Sequence, residues 1–269
     1  MIYWIYVDLI ESGDKVFVQE RHEAILDLLK ENRSLKVSDL VSRFKVSIET
    51  VRRDLEFLEK EGHLKRVHGG AVLDEVKSQE LTFSVRETKN IYEKKEIAEI
   101  ASRFVKEGQS IALDVSTTNT EFTKVLKTKF ERLTVVTNSL PIAVELSDMP
   151  HYTIILAGGV LRNQELCTVG EMAESFISQF HVDTFFMSTS GISVTEGLTD
   201  YGIGEVQLKK RMLKSAQQCI VLADSSKFDV VSLLKVCDLN NIDGIVTDSQ
   251  LKPAIAAKYR NIGIEITNH

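Results

Sequence analysis

The sequence is poor in the residues that build metal centres and cross-links. It has three cysteines, Cys167, Cys219 and Cys237, widely spaced and with no CxxC pair. An odd, dispersed set excludes a disulfide framework and argues against zinc, so the thiols are expected to be free and buried. His22, His63, His68, His151, His181 and His269 are scattered, with no i,i+4 pair and no cysteine partner, so no metal is expected. Long hydrophobic runs are missing too. The apolar stretch 1–10 is broken by Asp8 and lacks both a basic flank and a small-residue cleavage site. It is too short to span a bilayer, and the expectation is a cytoplasmic protein with no membrane partner. Residues 1–17 look unlike the rest and fit a strand, a tail or an upstream start site equally well. Positive charge is also short: 33 Lys and Arg face 39 Asp and Glu, a net charge of −6. Averaged over the chain this disfavours nucleic acid, but in a chain of several domains only the field at the contact face matters.

What is present is ample apolar material, 43% of 269 residues, enough for a core without metal or disulfide. The pattern divides the chain into a helical module at 18–73, a polar connection at 74–92, and a long α/β domain at 93–269.

In the first module, 21–31 reads as an amphipathic helix with Ile25, Leu28 and Leu29 on one face. A short second helix over 37–44 follows. After a tight turn, Ser47 is placed to cap a third helix over 48–61, which carries Val51, Leu55 and Leu58 inward and is closed by Gly62. Two short β segments joined at Gly69-Gly70 then form a candidate wing. This order is that of a winged helix-turn-helix, whose last helix enters the major groove. Ser47, Glu49, Thr50, Arg52 and Arg53 are the candidate readers, the arginines offering fork-shaped donors to guanine edges or phosphates. Lys65, Arg66 and His68 on the wing suit phosphates. Ile48 suits either a thymine methyl or the core.

From Glu93 onward strands and helices alternate, which predicts a largely parallel sheet covered on both faces, with ligands outside the carboxyl ends of its strands. The loops expected there carry the candidate ligand residues: Asp114, Ser116, Thr117 and Thr118; Thr137 and Asn138; Gly158, Gly159 and Arg162; Gly191; Thr199 and Asp200; and Lys227. Glu205 and Lys209 lie on the helix over 204–216, where Lys209, Lys210 and Arg211 also read in part as a solvated face. Hydroxyls and free N–H groups at a helix start, with Arg162 and Lys227 as cations, suit a small anion such as phosphate. Asp114, Asp200 and Glu205 could alternatively shuttle a proton in a sugar-phosphate isomerase, but no pattern singles out a tuned base, so no catalytic residue and no cofactor is expected.

The string from Val46 to Gly62, with TVRRDL at its centre, followed by Leu64, Arg66 and His68-Gly69-Gly70-Ala71, resembles the DeoR family of bacterial transcription regulators. The downstream pieces Leu113-Asp114, Ser116-Thr117-Thr118, Val136-Thr137-Asn138-Ser139, Ala157-Gly158-Gly159, Leu161-Arg162, Gly197-Leu198-Thr199-Asp200, Glu205, Lys209 and Ser226-Lys227-Phe228 resemble the sensor domain of that family. Phe83, Arg86 and Glu87 match its linker pattern, which implies docking onto the large domain. The resemblance departs at Ser116, where many members have glycine. It implies that Thr50, Arg52 and Arg53 face operator DNA. It also implies a second domain with a fold like ribose-5-phosphate isomerase and a phosphorylated sugar as effector. The expected function is a repressor of a carbohydrate operon, acting as a homodimer or homotetramer on double-stranded DNA.

Overall fold

A computed structural model describes residues 18–32, 34–60, 64–67, 69–72 and 82–269. It forms two compact units, the first within 1–77 and the second within 78–269. Residues 1–17, the capping Gly62 and the wing residue His68 lie outside the described residues, so the expectations placed on them are not addressed.

The first unit is three helices and a small sheet. Helices α1 (Val18–Asn32), α2 (Val37–Phe44) and α3 (Ile48–Lys60) bury Ile25 and Leu29, Leu40 and Phe44, and Val51, Leu55 and Leu58 in one core with Leu64 and Ala71. The i,i+3 and i,i+4 spacings make these faces contiguous. Lys45, in the left-handed region at φ 51°, ends α2. The Ser47 Oγ then accepts the Thr50 N–H at 3.1 Å and starts α3 two residues later. The wing strands β2 (Lys65–Val67) and β3 (Gly70–Val72) pair antiparallel, as expected. A strand that the periodicity did not reveal, β1 (Ser34–Lys36), pairs on the other side of β3. Gly70 is required there, since a Cβ on it would sit 2.1 Å from the Leu35 carbonyl oxygen.

The second unit opens with a short helix, α4 (Phe83–Thr88), and then α5 (Ile91–Ala101). Its centre is a seven-stranded sheet in the order β15-β14-β12-β9-β4-β5-β6, every pair parallel. These strands are β4 (Ser110–Leu113), β5 (Thr134–Thr137), β6 (Thr153–Leu156), β9 (Val182–Ser188), β12 (Ala216–Leu222), β14 (Gly244–Val246) and β15 (Ile266–Thr267). One face is covered by α5, α6 (Thr117–Lys129) and α7 (Leu140–Leu146), which bury Ile97, Phe122, Leu126, Ile142 and Leu146. The other face is covered by α8 (Glu171–Ile177), α9 (Ile203–Ser215) and α10 (Pro253–Arg260), through Ala173, Val206, Met212 and Tyr259.

Two additions to this sandwich were not read from sequence. A hairpin, β7 (Val160–Arg162) with β8 (Cys167–Val169), follows β6. A three-stranded antiparallel sheet joins β10 (Gly191–Ser193), β11 (Gly197–Asp200) and β13 (Leu234–Cys237). The chain leaves β4 for β5 and β6 on one side, then returns to β9 on the other. The connections therefore diverge at the carboxyl ends of β4 and β9, the switch point at which open parallel sheets hold ligands.

Candidate functional site

On the first unit, the expected readers are on the surface of α3 and the wing. Ser47, Glu49, Arg52, Arg53, Lys65 and Arg66 are exposed and Thr50 is half-buried. Ile48 is 50% exposed, so it is not a core residue. Arg53 lies 4.0 Å from Glu49, and the Arg66 N–H donates to Glu59 at 2.7 Å, fixing the start of the wing to the end of α3. Between the exposed Arg53 and the core Leu55 stands Asp54, which is buried. Arg21 grips it with two bonds, Nε to Oδ2 at 2.6 Å and Nη2 to Oδ1 at 3.0 Å, and His22 adds a third at 2.9 Å. This cluster ties α1 to α3. Sequence reasoning missed it, because a carboxylate beside two arginines reads as surface.

On the second unit a cavity opens at the switch point. Its enclosed space is small, about 60 Å³, and it opens to solvent. Its wall takes Ser116, Thr117 and Thr118 from the end of β4 and Ser188, Thr189 and Ser190 from the end of β9. Seven of the expected ligand residues line it: Ser116, Thr117, Thr118, Asp200, Glu205, Lys209 and Lys227.

The hydroxyl of Ser116 accepts the Asn119 N–H at 2.9 Å and its carbonyl accepts that of Thr120 at 3.0 Å. Among the described residues the Thr117 and Thr118 N–H groups have no such partner, so the α6 start presents two donors and the positive end of a four-turn helix.

The floor is a buried ion cluster. Lys209 is 3% exposed, not solvated as its sequence neighbours suggested. It donates to Asp200, to the Ser188 carbonyl at 2.9 Å, and to Asp114 at 2.9 Å. Burial opposes its charge, but the two carboxylates outweigh burial and raise its pKa above the ordinary lysine value. Burial also works against Asp200, and there Lys209 wins, so the carboxyl is held low. Asp114, where burial prevails, is shifted up. Asp114 does not line the cavity; it braces the floor, accepting Ser188 N–H at 3.0 Å and Asn119 Nδ2 at 2.6 Å. Arg162 sits beside the cavity wall and holds Glu205 at 2.7 Å through both carboxylate oxygens. The three carboxylates considered as proton carriers are thus all engaged by cations.

The remaining expected ligand residues build scaffold. Thr137 donates to the Leu113 carbonyl at 2.7 Å, tying β5 to β4. Asn138 accepts the Val115 N–H and donates to the Thr168 carbonyl, each at 3.1 Å, setting the loop above α6. Thr199 accepts the Ser232 N–H at 2.8 Å. A Cβ at Gly159 would lie 2.7 Å from the Val169 carbonyl oxygen, and one at Gly191 2.5 Å from that of Val230, so both allow close backbone packing. Gly158 has open space around it and does not line the cavity. The three cysteines are buried and free. Burial pushes Cys167 up to about 12 and Cys237 up to about 11, which leaves them unreactive.

The most informative cavity residue escaped the sequence reading. Lys94, on α5, is 4% exposed. Its described partner is the Arg86 carbonyl, and it forms no ion pair with a described carboxylate. Burial lowers its pKa to about 8, with Asp224 and Glu121 opposing and Lys227 and Arg86 adding to the fall. Lys227 likewise has no ion pair among the described residues. Asp224 is engaged instead by Asn90 Nδ2 at 3.2 Å and by Ser226 N–H at 3.0 Å.

Comparison with known proteins agrees with both halves. Residues 21–77 match the DeoR-like helix-turn-helix domain and residues 89–249 the DeoR C terminal sensor domain. The chain is 39% identical to the HTH-type transcriptional regulator YulB of Bacillus subtilis, over 94% of this chain and 97% of that one. It is 30% identical to the glycerol-3-phosphate regulon repressor of Escherichia coli, over 86% and 90%. Among solved structures, ribose 5-phosphate isomerase A from Methanocaldococcus jannaschii aligns with a TM-score of 0.39 at 18% identity, over 52% of this chain and 55% of that one.

Proposed function

The chain belongs to the DeoR family of transcriptional regulators, and from that premise we propose that it represses a carbohydrate operon under control of a phosphorylated sugar held in the switch-point cavity. The observation that carries the effector reading is the pair Lys94 and Lys227: two lysines on one cavity, without an ion pair among the described residues, beside the open N–H groups of α6. A buried cation without a counter-charge is costly, and an anion seated there offsets that cost. The uncharged Ser, Thr and Asn groups around it suit sugar hydroxyls. The name of the Escherichia coli relative, a glycerol-3-phosphate regulon repressor, fits an effector of this class.

On the DNA side, α3 lies in the major groove with Thr50, Arg52 and Arg53 toward base edges and phosphates, and Lys65, Arg66 and His68 hold the backbone from the wing. Operators of two half-sites call for two copies of the unit, so the working form is a homodimer or homotetramer in the cytoplasm. No helix of the described residues is long and apolar enough to cross a membrane. The effector acts by linkage, favouring an arrangement of the DNA-binding units that DNA does not. The domain plan is 18–73 for DNA binding, 74–92 as connection and 93–269 as sensor. No turnover is expected, because Asp114, Asp200 and Glu205 are each tied to a cation.

A thermal-shift panel of sugar phosphates, their free sugars and inorganic phosphate tests the effector class. A ligand at about 100 times its Kd adds ~2.7 kcal/mol. The reading expects a shift with one phosphorylated sugar and none with its free sugar; equal shifts from both contradict it.

A further inference from the structure

One side of the cavity is formed by a short helix and the residue that follows it. Helix α4 is six residues long and is the first described element of the second unit, so it follows the DNA-binding unit in the chain. Several contacts hold it, among them the Phe83 N–H donating to the Gln164 carbonyl at 3.4 Å and the burial of Val85. Phe83 is 2% exposed, in a cluster with Val115, Cys167 and Val169. Arg86 pairs with Glu165, on the turn of the β7–β8 hairpin. The Arg86 carbonyl accepts the Lys94 ammonium. Arg86, Lys89, Lys94 and Glu165 all line the cavity.

This strap therefore brings two cations, Arg86 and Lys89, to a space already lined by three more, Lys94, Lys209 and Lys227. Like charges there repel; Glu165, Asp224, Asp200 and Glu205 oppose them from the same wall, the last two engaged by Lys209 and Arg162. Lys94 is buried, touches the strap backbone, and lines the cavity together with Thr117 and Thr118 of the α6 start, where an anion finds N–H donors. An anion at that position attracts every member of the set, and replaces repulsion by attraction in a low-dielectric site. A neutral sugar of the same shape changes none of these terms.

Resting on the reading of the cavity as an anion site, we infer that Lys94 is the residue that reads the effector's charge, and that through its bond to the Arg86 carbonyl it draws the strap Phe83–Lys89 down onto the occupied cavity. Charge selects the effector, and the strap carries the result to the segment that precedes it in the chain. The effector acts because it favours the tightened strap over the loose one.

Hydrogen–deuterium exchange on the full-length protein, with inorganic phosphate as probe, tests this. In the wild type, phosphate is expected to slow exchange at the α6 start, Thr117 to Asn119, and also across Phe83 to Lys94, by tenfold or more in each. In Lys94→Gln, binding is expected to weaken at least tenfold; with phosphate raised to restore protection at the α6 start, the strap exchanges as in the ligand-free protein. Protection at the α6 start without any change across Phe83 to Lys94 in the wild type overturns the inference and leaves the anion site standing. So does a Lys94→Gln variant that binds and tightens as the wild type does. No protection at either place removes the anion site, and the inference with it.

Discussion

Lys94 and Lys209 line the same cavity, both almost wholly buried, yet among the described residues only Lys209 is paired with carboxylates. Lys209 sits between Asp114 and Asp200, while Lys94 rests on a backbone carbonyl. One lysine is held by its partners, and the other is proposed to take its counter-charge from the effector.

The same substitution should therefore act with opposite sign at the two positions. Lys209→Met leaves Asp114 and Asp200 facing each other in the interior and is expected to cost ~3–5 kcal/mol. Lys94→Met removes a buried, unpaired charge and is expected to stabilise the ligand-free protein at pH 7, by up to ~3 kcal/mol. Denaturant midpoints of the second unit check both; destabilisation by Lys94→Met would show that the carbonyl bond outweighs the burial of the charge.

The stability of the wild type should also rise with pH in a defined window. The folded pKa of Lys94 is about 8, against 10.5 for a free lysine. Between those values the unfolded chain holds a proton that the folded protein lacks, so the penalty shrinks as pH climbs and is full below 8. Asp224, Glu121, Lys227 and Arg86 are the charged groups that act on this value beside burial. The wild type should gain on Lys94→Met from pH 8 to 10.5. A constant difference between the two proteins contradicts the assignment.

In the DNA-binding unit, Asp54→Ala takes from the buried Arg21 the carboxylate that joins it to α3. It is expected to cost ~3–5 kcal/mol, melting the first unit earlier and leaving the transition of the second unit in place. Calorimetry of the full chain separates the two transitions. An unchanged first transition means that the Arg21–Asp54 pair contributes nothing to holding α1 on α3.

The strengths and failures of the sequence reading have physical causes. The three helices of the first unit and the strand–helix alternation of the second were legible because apolar periodicity reports burial directly. Thr117, Thr118, Asp200 and Lys227 were legible because strand ends in parallel sheets collect ligand groups. The β7–β8 hairpin and the β10-β11-β13 sheet were not, because their three- and four-residue strands are too short for a period, and β11 pairs with β13 more than thirty residues away. Asp54 and Lys94 were missed, and Lys209 was read both as a ligand residue and in part as a solvated face, for a common reason. Each is a charged residue on a helix, and only a partner distant in sequence (Arg21, the cavity wall, Asp114) decides that it faces inward. Thr137, Asn138 and Thr199 sit at the right strand ends but direct their polar atoms to neighbouring loops, which sequence position cannot distinguish from the cavity.

Arg52→Ala with Arg53→Ala should weaken binding to operator DNA and flatten its dependence on salt. Each lost phosphate contact lowers the slope of log K against log salt by ~0.9. Binding measured at several salt concentrations gives the slope, and an unaltered slope would mean that neither arginine meets a phosphate.

Lys227→Ala should leave the affinity for DNA within about twofold, since it lies in the other unit, and abolish the response to effector. A variant that still responds at the wild-type concentration places the anion elsewhere.

The most direct measurement is fluorescence anisotropy of full-length protein on an operator duplex selected from a random pool, titrated with a phosphorylated sugar and, in parallel, with the same sugar unphosphorylated. The expected result is that the phosphorylated form raises the Kd for the operator tenfold or more, a coupling of ~1.4 kcal/mol, while the free sugar does nothing. An operator affinity indifferent to every phosphorylated sugar that the protein binds would contradict the claim that this cavity controls the grip on DNA.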